Sequence, residues 1–227
     1  MIIDVIIPAY NEEQSIGHVI DDIPSELVRE IIVCNNNSID DTAKNAEAKG
    51  AKVLLAQNKG YGSACLRGLS YIAAKRTKPD IVVFIDGDYS DHPEEMTDLI
   101  KPIINEGCDM VIGSRAIGEL ERGSMQVQQI FGNWLATTLI KLFYNYKFTD
   151  LGPFRAITYD ALMKIDMQDK DFGWTVEMQV KAAKLKLKTT EVPVTYRKRI
   201  GKSKVSGTLK GTILAGHKIL WTIFKLI

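Results

Sequence analysis

The chain has 227 residues, 45% hydrophobic and 25% charged, a globular composition that fits one large domain or two small ones. A net charge of +1 provides no global field for nucleic acid, which is therefore not an expected partner. No clean run of about 18 apolar residues occurs, so no membrane span is expected.

In chain order, short apolar runs at 2–7, 31–34, 53–56, 81–85 and 110–112 alternate with helix-like segments at 14–23, 41–49, 63–76 and 93–105. This rhythm predicts an α/β fold, a mostly parallel sheet covered on both faces by helices. One continuous domain is expected over 1–208, with a C-terminal helix at 209–227. The chain opens directly on a strand-like run with no charged leader region, so no secretory leader is expected. Cys34, Cys65 and Cys108 are odd in number and lack metal-site spacing, and read as reduced thiols of a cytoplasmic protein.

The turns after the strands carry the chemistry. At Pro8-Ala9-Tyr10-Asn11-Glu12-Glu13 the proline ends a strand, and the acids either act in a site or favour a helix dipole. In Asn35-Asn36-Asn37-Ser38-Ile39-Asp40, Ser38 or Asp40 suits a helix cap, but three successive asparagines exceed what capping needs. Asn58-Lys59-Gly60-Tyr61-Gly62-Ser63-Ala64 partly imitates the dinucleotide-binding Gly-x-Gly-x-x-Gly, with Cys65 in place of the last glycine and the third strand in place of the first. Its glycines either admit phosphate or ribose or form a tight turn with positive φ.

The fourth strand, apolar throughout, stops at Asp86-Gly87-Asp88. Strand tips are where open α/β sheets bind ligands. Side chains two apart in an extended chain share a side, so Asp86 and Asp88 can converge on one cation. Carboxylates suit Mg²⁺ or Mn²⁺, and Mg²⁺ binds through one or two carboxylates plus substrate phosphates. A metal-bound diphosphate is one reading; an ordinary acidic turn is the other. An EF-hand fits poorly, because Asp91 stands at the sixth position and Thr97 at the twelfth. The fifth strand ends at Gly113-Ser114-Arg115, where Arg115 either pairs with the carboxylates or clamps a phosphate.

Together these motifs resemble the family 2 glycosyltransferases of GT-A fold, and among them the polyprenyl-phosphate sugar synthases of the dolichol-phosphate mannose synthase type. The matching residues are Pro8-Ala9-Tyr10-Asn11-Glu12, Asn58-x-Gly60-x-Gly62-x-Ala64, Asp86-x-Asp88 with His92-Pro93-Glu94, and Gly113-Ser114-Arg115. Asp150-x-Gly152 with Phe154-Arg155, Gly173-Trp174 with Glu177, Glu191-Val192-Pro193 and Gly201-x-Ser203-Lys204 follow in the same order. The resemblance implies that the first and second turns hold the nucleotide base and ribose. It also implies that Asp86 and Asp88, with Ser90, bind the metal on the donor diphosphate, and that transfer is an inverting single displacement. Asn35 and Asn36 stand where the family usually has two acids. A neutral amide matches the donor and acceptors of uracil, whereas the adjacent donors of guanine favour a carboxylate. A UDP-sugar is therefore preferred over a GDP-sugar.

In the second half, Val127, Ile130, Phe131, Trp134, Leu135, Leu139, Leu142 and Phe143 keep helical spacing across 126–146. They predict an amphipathic helix packed on the core, with a wall for a lipid acceptor as the alternative. Asp150 accepts a hydrogen bond from a sugar hydroxyl or closes a turn, and 154–158 reads as a strand. Glu177 begins a helix, where it either stabilises the N-terminus or serves as general base toward an acceptor hydroxyl. A phosphate acceptor needs no strong base, and transfer then rests on alignment and on the metal. Arg197-Lys198-Arg199-Ile200-Gly201-Lys202-Ser203-Lys204 packs five cations into eight residues, a solvated face or a phosphate-binding loop built on Arg199, Ser203 and Lys204. In 209–227, Lys210, His217, Lys218 and Lys225 gather opposite Leu209, Ile213, Leu220, Phe224 and Ile227, with Trp221 near the cations. That pattern suits an anionic membrane surface, such as the inner face of the cell membrane, or packing on the sheet or a homodimer partner.

The expected activity is metal-dependent transfer of a sugar from a nucleotide diphosphate to a lipid phosphate or a hydroxyl. A non-catalytic nucleotide-sugar-binding module is an alternative. A sugar-1-phosphate nucleotidyltransferase would need a Gly-rich basic loop after the first strand, which Pro8-Ala9-Tyr10-Asn11 lacks.

Overall fold

The computed structural model describes residues 1–201 and 209–227. Its elements are β1 (Ile3–Ala9), α1 (Ile16–Asp22), β2 (Glu30–Asn35), α2 (Thr42–Ala48), β3 (Lys52–Leu55), α3 (Tyr61–Ala74), β4 (Ile81–Phe84), a 3-10 turn at Pro93–Glu95, α4 (Met96–Glu106) and β5 (Met110–Ser114). They continue with α5 (Val127–Tyr144), β6 (Arg155–Thr158), α6 (Tyr159–Ile165), α7 (Trp174–Lys184), β7 (Thr189–Pro193) and α8 (Leu209–Lys225).

Seven strands form one sheet in the order β3-β2-β1-β4-β6-β5-β7. All neighbouring pairs are parallel except those of β6, which runs antiparallel to both β4 and β5. The central strands β1, β4 and β5 are buried along their whole length, because helices cover both faces. Alternate residues feed two cores. Val5, Ile7, Val83 and Val111 face the side of α1 and α4, while Ile6, Val82, Phe84 and Ile112 face the side of α3, α5 and α7. Parallel pairing brings the carboxyl ends of β1 to β5 to one edge of the sheet. The reversal of β6 adds its first residue, Arg155, which pairs with both Phe84 and Ile112.

The five strands predicted in the first half all form, within two residues of their expected ends. β1 runs on through Pro8, which lies past its last pair with β4, Ile6 with Phe84, where the ladder on that side has ended. The segment expected as one helix over 93–105 divides: Pro93 starts a single 3-10 turn, and α4 begins at Met96. Two elements were not anticipated. α6 is only seven residues, capped by the Thr158 hydroxyl accepting from the Ala161 amide. β7 is a polar edge strand, Thr189-Thr190-Glu191-Val192-Pro193, without the alternation that marks a buried face.

The expectation that α5 packs its apolar residues on the core is overturned. Only Ala136, Thr137 and Ile140 are buried, while Val127 is 80% and Leu142 71% exposed, and Ile130, Phe131, Trp134 and Phe143 are exposed as well. The helix is apolar nearly all round, so spacing alone does not tell which side meets the body. α8 lies beside it: the Tyr144 hydroxyl donates to the Ile223 carbonyl at 2.6 Å, and the Phe143 and Phe224 rings meet edge-on at 5.5 Å. α8 buries Thr222 and Ile223 and leaves Leu214, Trp221 and Phe224 exposed, as is Ile227 just past its end. Of the apolar side expected for it, Phe224 and Ile227 point outward; the side chains of Leu209, Lys210 and Ile213 lie outside those described. Among the described residues no helix is long and apolar enough to cross a membrane.

Candidate active site

The strand-end turns are stitched together by the asparagine triplet. Asn36 Nδ2 donates to the carbonyls of Ala56 and Asn58, and its Oδ1 accepts from the Gly60 amide. Asn37 Nδ2 donates to the carbonyls of Ala56 and Gln57, and Asn35 Oδ1 accepts from the Ser38 amide. The first turn joins through the Asn11 amide to Ser38 Oγ, the Ile39 amide to Asn11 Oδ1, and the Glu12 amide to Thr42 Oγ1. Buried amides of this kind are used up by backbone partners. Both N–H donors of the Asn36 amide are spent inside the protein, so the two-way match to uracil expected of it is not available in this arrangement.

Against this frame lies a cavity of about 410 Å³, lined by Pro8, Tyr10, Glu12, Asn36, Lys59, Gly60, Tyr61, Asp86, Asp88, Asp171, Phe172 and Arg199. A second cavity of about 330 Å³ is lined by Arg115, Met125, Gln128, Gln129, Gly132 and Asn133 on one side and Trp174, Tyr196, Ala215, Gly216 and Ile219 on another. Tyr61, Asp86, Asp88, Phe172 and Arg199 line both. The two carboxylates thus stand where the chambers meet.

Each acid is held differently. Asp86 Oδ1 accepts from the Tyr61 hydroxyl at 2.9 Å. Burial, then repulsion from Asp88, pushes the Asp86 carboxyl up to about 7. Asp88 Oδ1 accepts from the amide and hydroxyl of Ser90, and its Oδ2 lies 3.1 Å from Arg199 Nη2. The same guanidinium reaches Glu12 Oε1, also at 3.1 Å. Arg199 is delivered there by backbone pairing of the last segment with the acidic turn, Arg197 amide to Ser90 carbonyl and Ile200 amide to Asp88 carbonyl. Arg197 itself stacks on the Tyr89 ring at 3.5 Å.

In the second chamber Arg115 is fixed by Asp150. Its amide and Nε donate to Asp150 Oδ2, its Nη2 donates to Oδ1 at 2.7 Å, and its guanidinium lies over the Tyr196 ring. Asp150 is wholly buried, so the expected contact with a sugar hydroxyl is replaced by the grip on Arg115. Glu191 holds that turn in place, accepting from the Thr149 and Asp150 amides.

Glu177 does not reach either chamber. Its carboxylate accepts from the Gln168 and Asp169 amides and pairs with Lys181 at 2.8 Å, so it faces away from the reacting centre and the general-base reading fails on position. Ser90 is buried beneath Asp88 rather than lining a cavity. Asn11 and Asn58 serve the stitching of the turns, and Gly62 packs on the Asp169 carbonyl. Ser203 and Lys204 lie outside the described residues. The sequence reading missed Asp171, Phe172 and Tyr196, which sit in no motif, and Tyr61, whose place between two glycines was its only signal. It also passed over Asp91, a buried carboxyl with no partner among the described residues, pushed well up by burial and by Asp86.

The residues present fit a divalent cation. Two carboxylates share the junction of the two chambers, and burial, then their mutual repulsion, raises the proton affinity of Asp86. Among the described residues no cluster of three or more His, Cys, Asp or Glu is arranged to hold a metal. A pair of carboxylates completed by substrate phosphates is what Mg²⁺ takes. Arg199 Nε, buried without a partner among the described residues, is a further donor suited to phosphate.

A sequence model described as glycosyl transferase family 2 matches residues 4–165. A UDP-N-acetylglucosamine–dolichyl-phosphate N-acetylglucosaminyltransferase of Methanococcus voltae is 30% identical, covering 85% of this chain and 84% of its own. An undecaprenyl-phosphate mannosyltransferase of Micrococcus luteus is 28% identical, covering 91% and 88%. The fold is shared with glucosyl-3-phosphoglycerate synthase of Mycobacterium tuberculosis, crystallised with Mn²⁺, UDP and phosphoglyceric acid, with a TM-score of 0.79 and 24% identity over 99% of this chain and 78% of that one.

Proposed function

The chain belongs to glycosyl transferase family 2, and from that premise we propose that it moves a sugar from a nucleotide diphosphate to a lipid-linked phosphate, with inversion. The observation that carries this reading is the meeting of two chambers at Asp86 and Asp88. The first, walled by the stitched turns, suits the nucleotide diphosphate. The second lies between α5 and α8, whose exposed apolar side chains suit an acceptor with a hydrocarbon tail and a membrane surface to hold it. The lipid-phosphate acceptors named for two relatives support the same reading. A UDP-sugar is the preferred donor, with support now from the Methanococcus relative's named substrate rather than from Asn36.

Asp86 and Asp88 would hold the cation, which when bound neutralises charge on the departing diphosphate. Arg199, between Glu12 and Asp88, exchanges a carboxylate for phosphate oxygens when the donor enters. Arg115, clamped by Asp150, presents its charge in the second chamber to the acceptor phosphate. The acceptor oxygen then forms its bond to the anomeric carbon as the bond to the diphosphate oxygen breaks. A phosphate oxygen is already deprotonated at neutral pH, so no side-chain base is required, in keeping with the position of Glu177.

The test is transfer from UDP- and GDP-sugars to a polyprenyl phosphate, with 3-phosphoglycerate as the water-soluble alternative, with and without Mn²⁺. Transfer to the lipid is expected only with metal, and Asp88→Ala should lower it about 10³-fold, as loss of transition-state charge stabilisation does. Transfer to 3-phosphoglycerate alone, or undiminished activity of Asp88→Ala, would overturn the reading.

A further inference from the structure

Between α6 and α7, residues 168–173 form a segment whose last residue alone, Gly173, belongs to a motif, and it carries Asp171 and Phe172 into the donor chamber. Its upper side rests on the glycine turn. The Lys170 carbonyl accepts from both the amide and the hydroxyl of Ser63, at 2.9 and 3.0 Å. A Cβ on Gly60 or Gly62 would come within 2.1 Å of the Lys170 or Asp169 carbonyl oxygen, so the two pieces of backbone touch. The segment therefore forms part of the wall of the donor chamber while it rests on the glycine turn.

Its lower side is gripped from two helices. Glu177 of α7, 4% exposed, accepts from the Gln168 amide at 3.1 Å and the Asp169 amide at 2.7 Å. The Asp169 carboxylate accepts from the Asp171 and Gly173 amides, folding the segment into a tight turn, and its Oδ2 pairs with Lys218 of α8 at 2.9 Å. Carboxylates gripping backbone amides make charge-assisted bonds, stronger than neutral ones. Lys218 is the one described cation paired with Asp169, and its side chain is only 36% exposed.

We propose that Glu177 and Lys218 are positioning residues for donor binding: they hold segment 168–173 against the glycine turn, and through Lys218 the seating of α8 sets the affinity of the donor chamber. This rests on the reading of the first chamber as the donor site. It gives Glu177 a part in the reaction without contact to the reacting atoms. It also links the helix with the exposed apolar side chains to the pocket for the water-soluble substrate.

The experiment uses the full chain and its Lys218→Ala, Lys218→Arg and Glu177→Gln variants. Binding of UDP and of GDP with Mn²⁺ is followed by calorimetry, donor KM and kcat by transfer assay, and folding by thermal melting. Lys218→Ala is expected to weaken nucleotide binding and raise donor KM roughly tenfold, a typical coupling between linked sites, with kcat at saturating donor little changed. Lys218→Arg restores both. Glu177→Gln keeps an acceptor for the amides but loses the charge; it should raise donor KM while kcat holds. A general base would instead lose about 10²–10⁴ in kcat with KM unmoved. Unchanged nucleotide affinity in Lys218→Ala, or a loss that Lys218→Arg does not restore and that follows the melting temperature, would overturn the proposal. Wild-type protein that binds neither nucleotide would refute the donor chamber itself, a distinct result.

Discussion

Asp150 is wholly buried, and its carboxylate is spent on the guanidinium and the backbone amide of Arg115. Desolvating that carboxylate is costly, and the cost is offset only while the bidentate partner stays in place. Asp150→Asn is therefore expected to destabilise the protein by about 3–5 kcal/mol, since Arg115 is left buried without its counter-charge. A lowered melting temperature with weakened binding of the acceptor phosphate is the measurable outcome. At this scale the sequence was informative where an apolar run pinned a residue to a strand tip, as with Asp86 and Asp88 after Ile81–Phe84. It was silent on partners: nothing in the turn at Asp150 points to Arg115, 35 positions earlier. Glu177 sits near the start of its helix as read, but spacing along a helix does not tell whether a side chain points toward the crevice or toward the segment before it.

The glycine turn shows how an element's geometry is set by what lies against it. Gly60 has φ 128°, and Gly62 faces the Asp169 carbonyl with no room for a methyl group. Gly62→Ala should cost about 1–3 kcal/mol through displacement of packed backbone. Because the displaced segment carries Phe172, nucleotide binding should weaken as well, and melting and calorimetry together check both effects. Of the two readings open for these glycines, tight turn or close approach of a ligand, the structure adds a third, close approach of the protein's own backbone. β6 and β7 mark a different limit. β6 was legible as a strand, but its direction depends on pairing with β4 and β5 on either side, which local pattern does not encode. β7 was hidden because an edge strand with a polar sequence carries no period-two signal. α5 was legible as a helix and misread in its facing, since apolar residues circle it.

For the molecule as a whole, the exposed apolar side chains of α5 and α8 lie on the two helices that also line the second chamber. Exposed apolar side chains of this kind suit the membrane contact proposed above. The chain is expected to float with vesicles containing anionic phospholipid. Phe131→Asp combined with Leu142→Asp should return it to the dense fraction while nucleotide binding in solution stays unchanged. Flotation that survives both substitutions would assign the attraction to another surface. With the lipid phosphate proposed above as acceptor, the side-by-side packing of α5 and α8 has a kinetic corollary. A catalyst that meets one reactant by diffusion through water and the other within a plane responds to two different concentrations. Its velocity should follow the mole fraction of acceptor among the lipids, so that diluting the bilayer with inert phospholipid slows turnover even when the total acceptor in the tube is held constant.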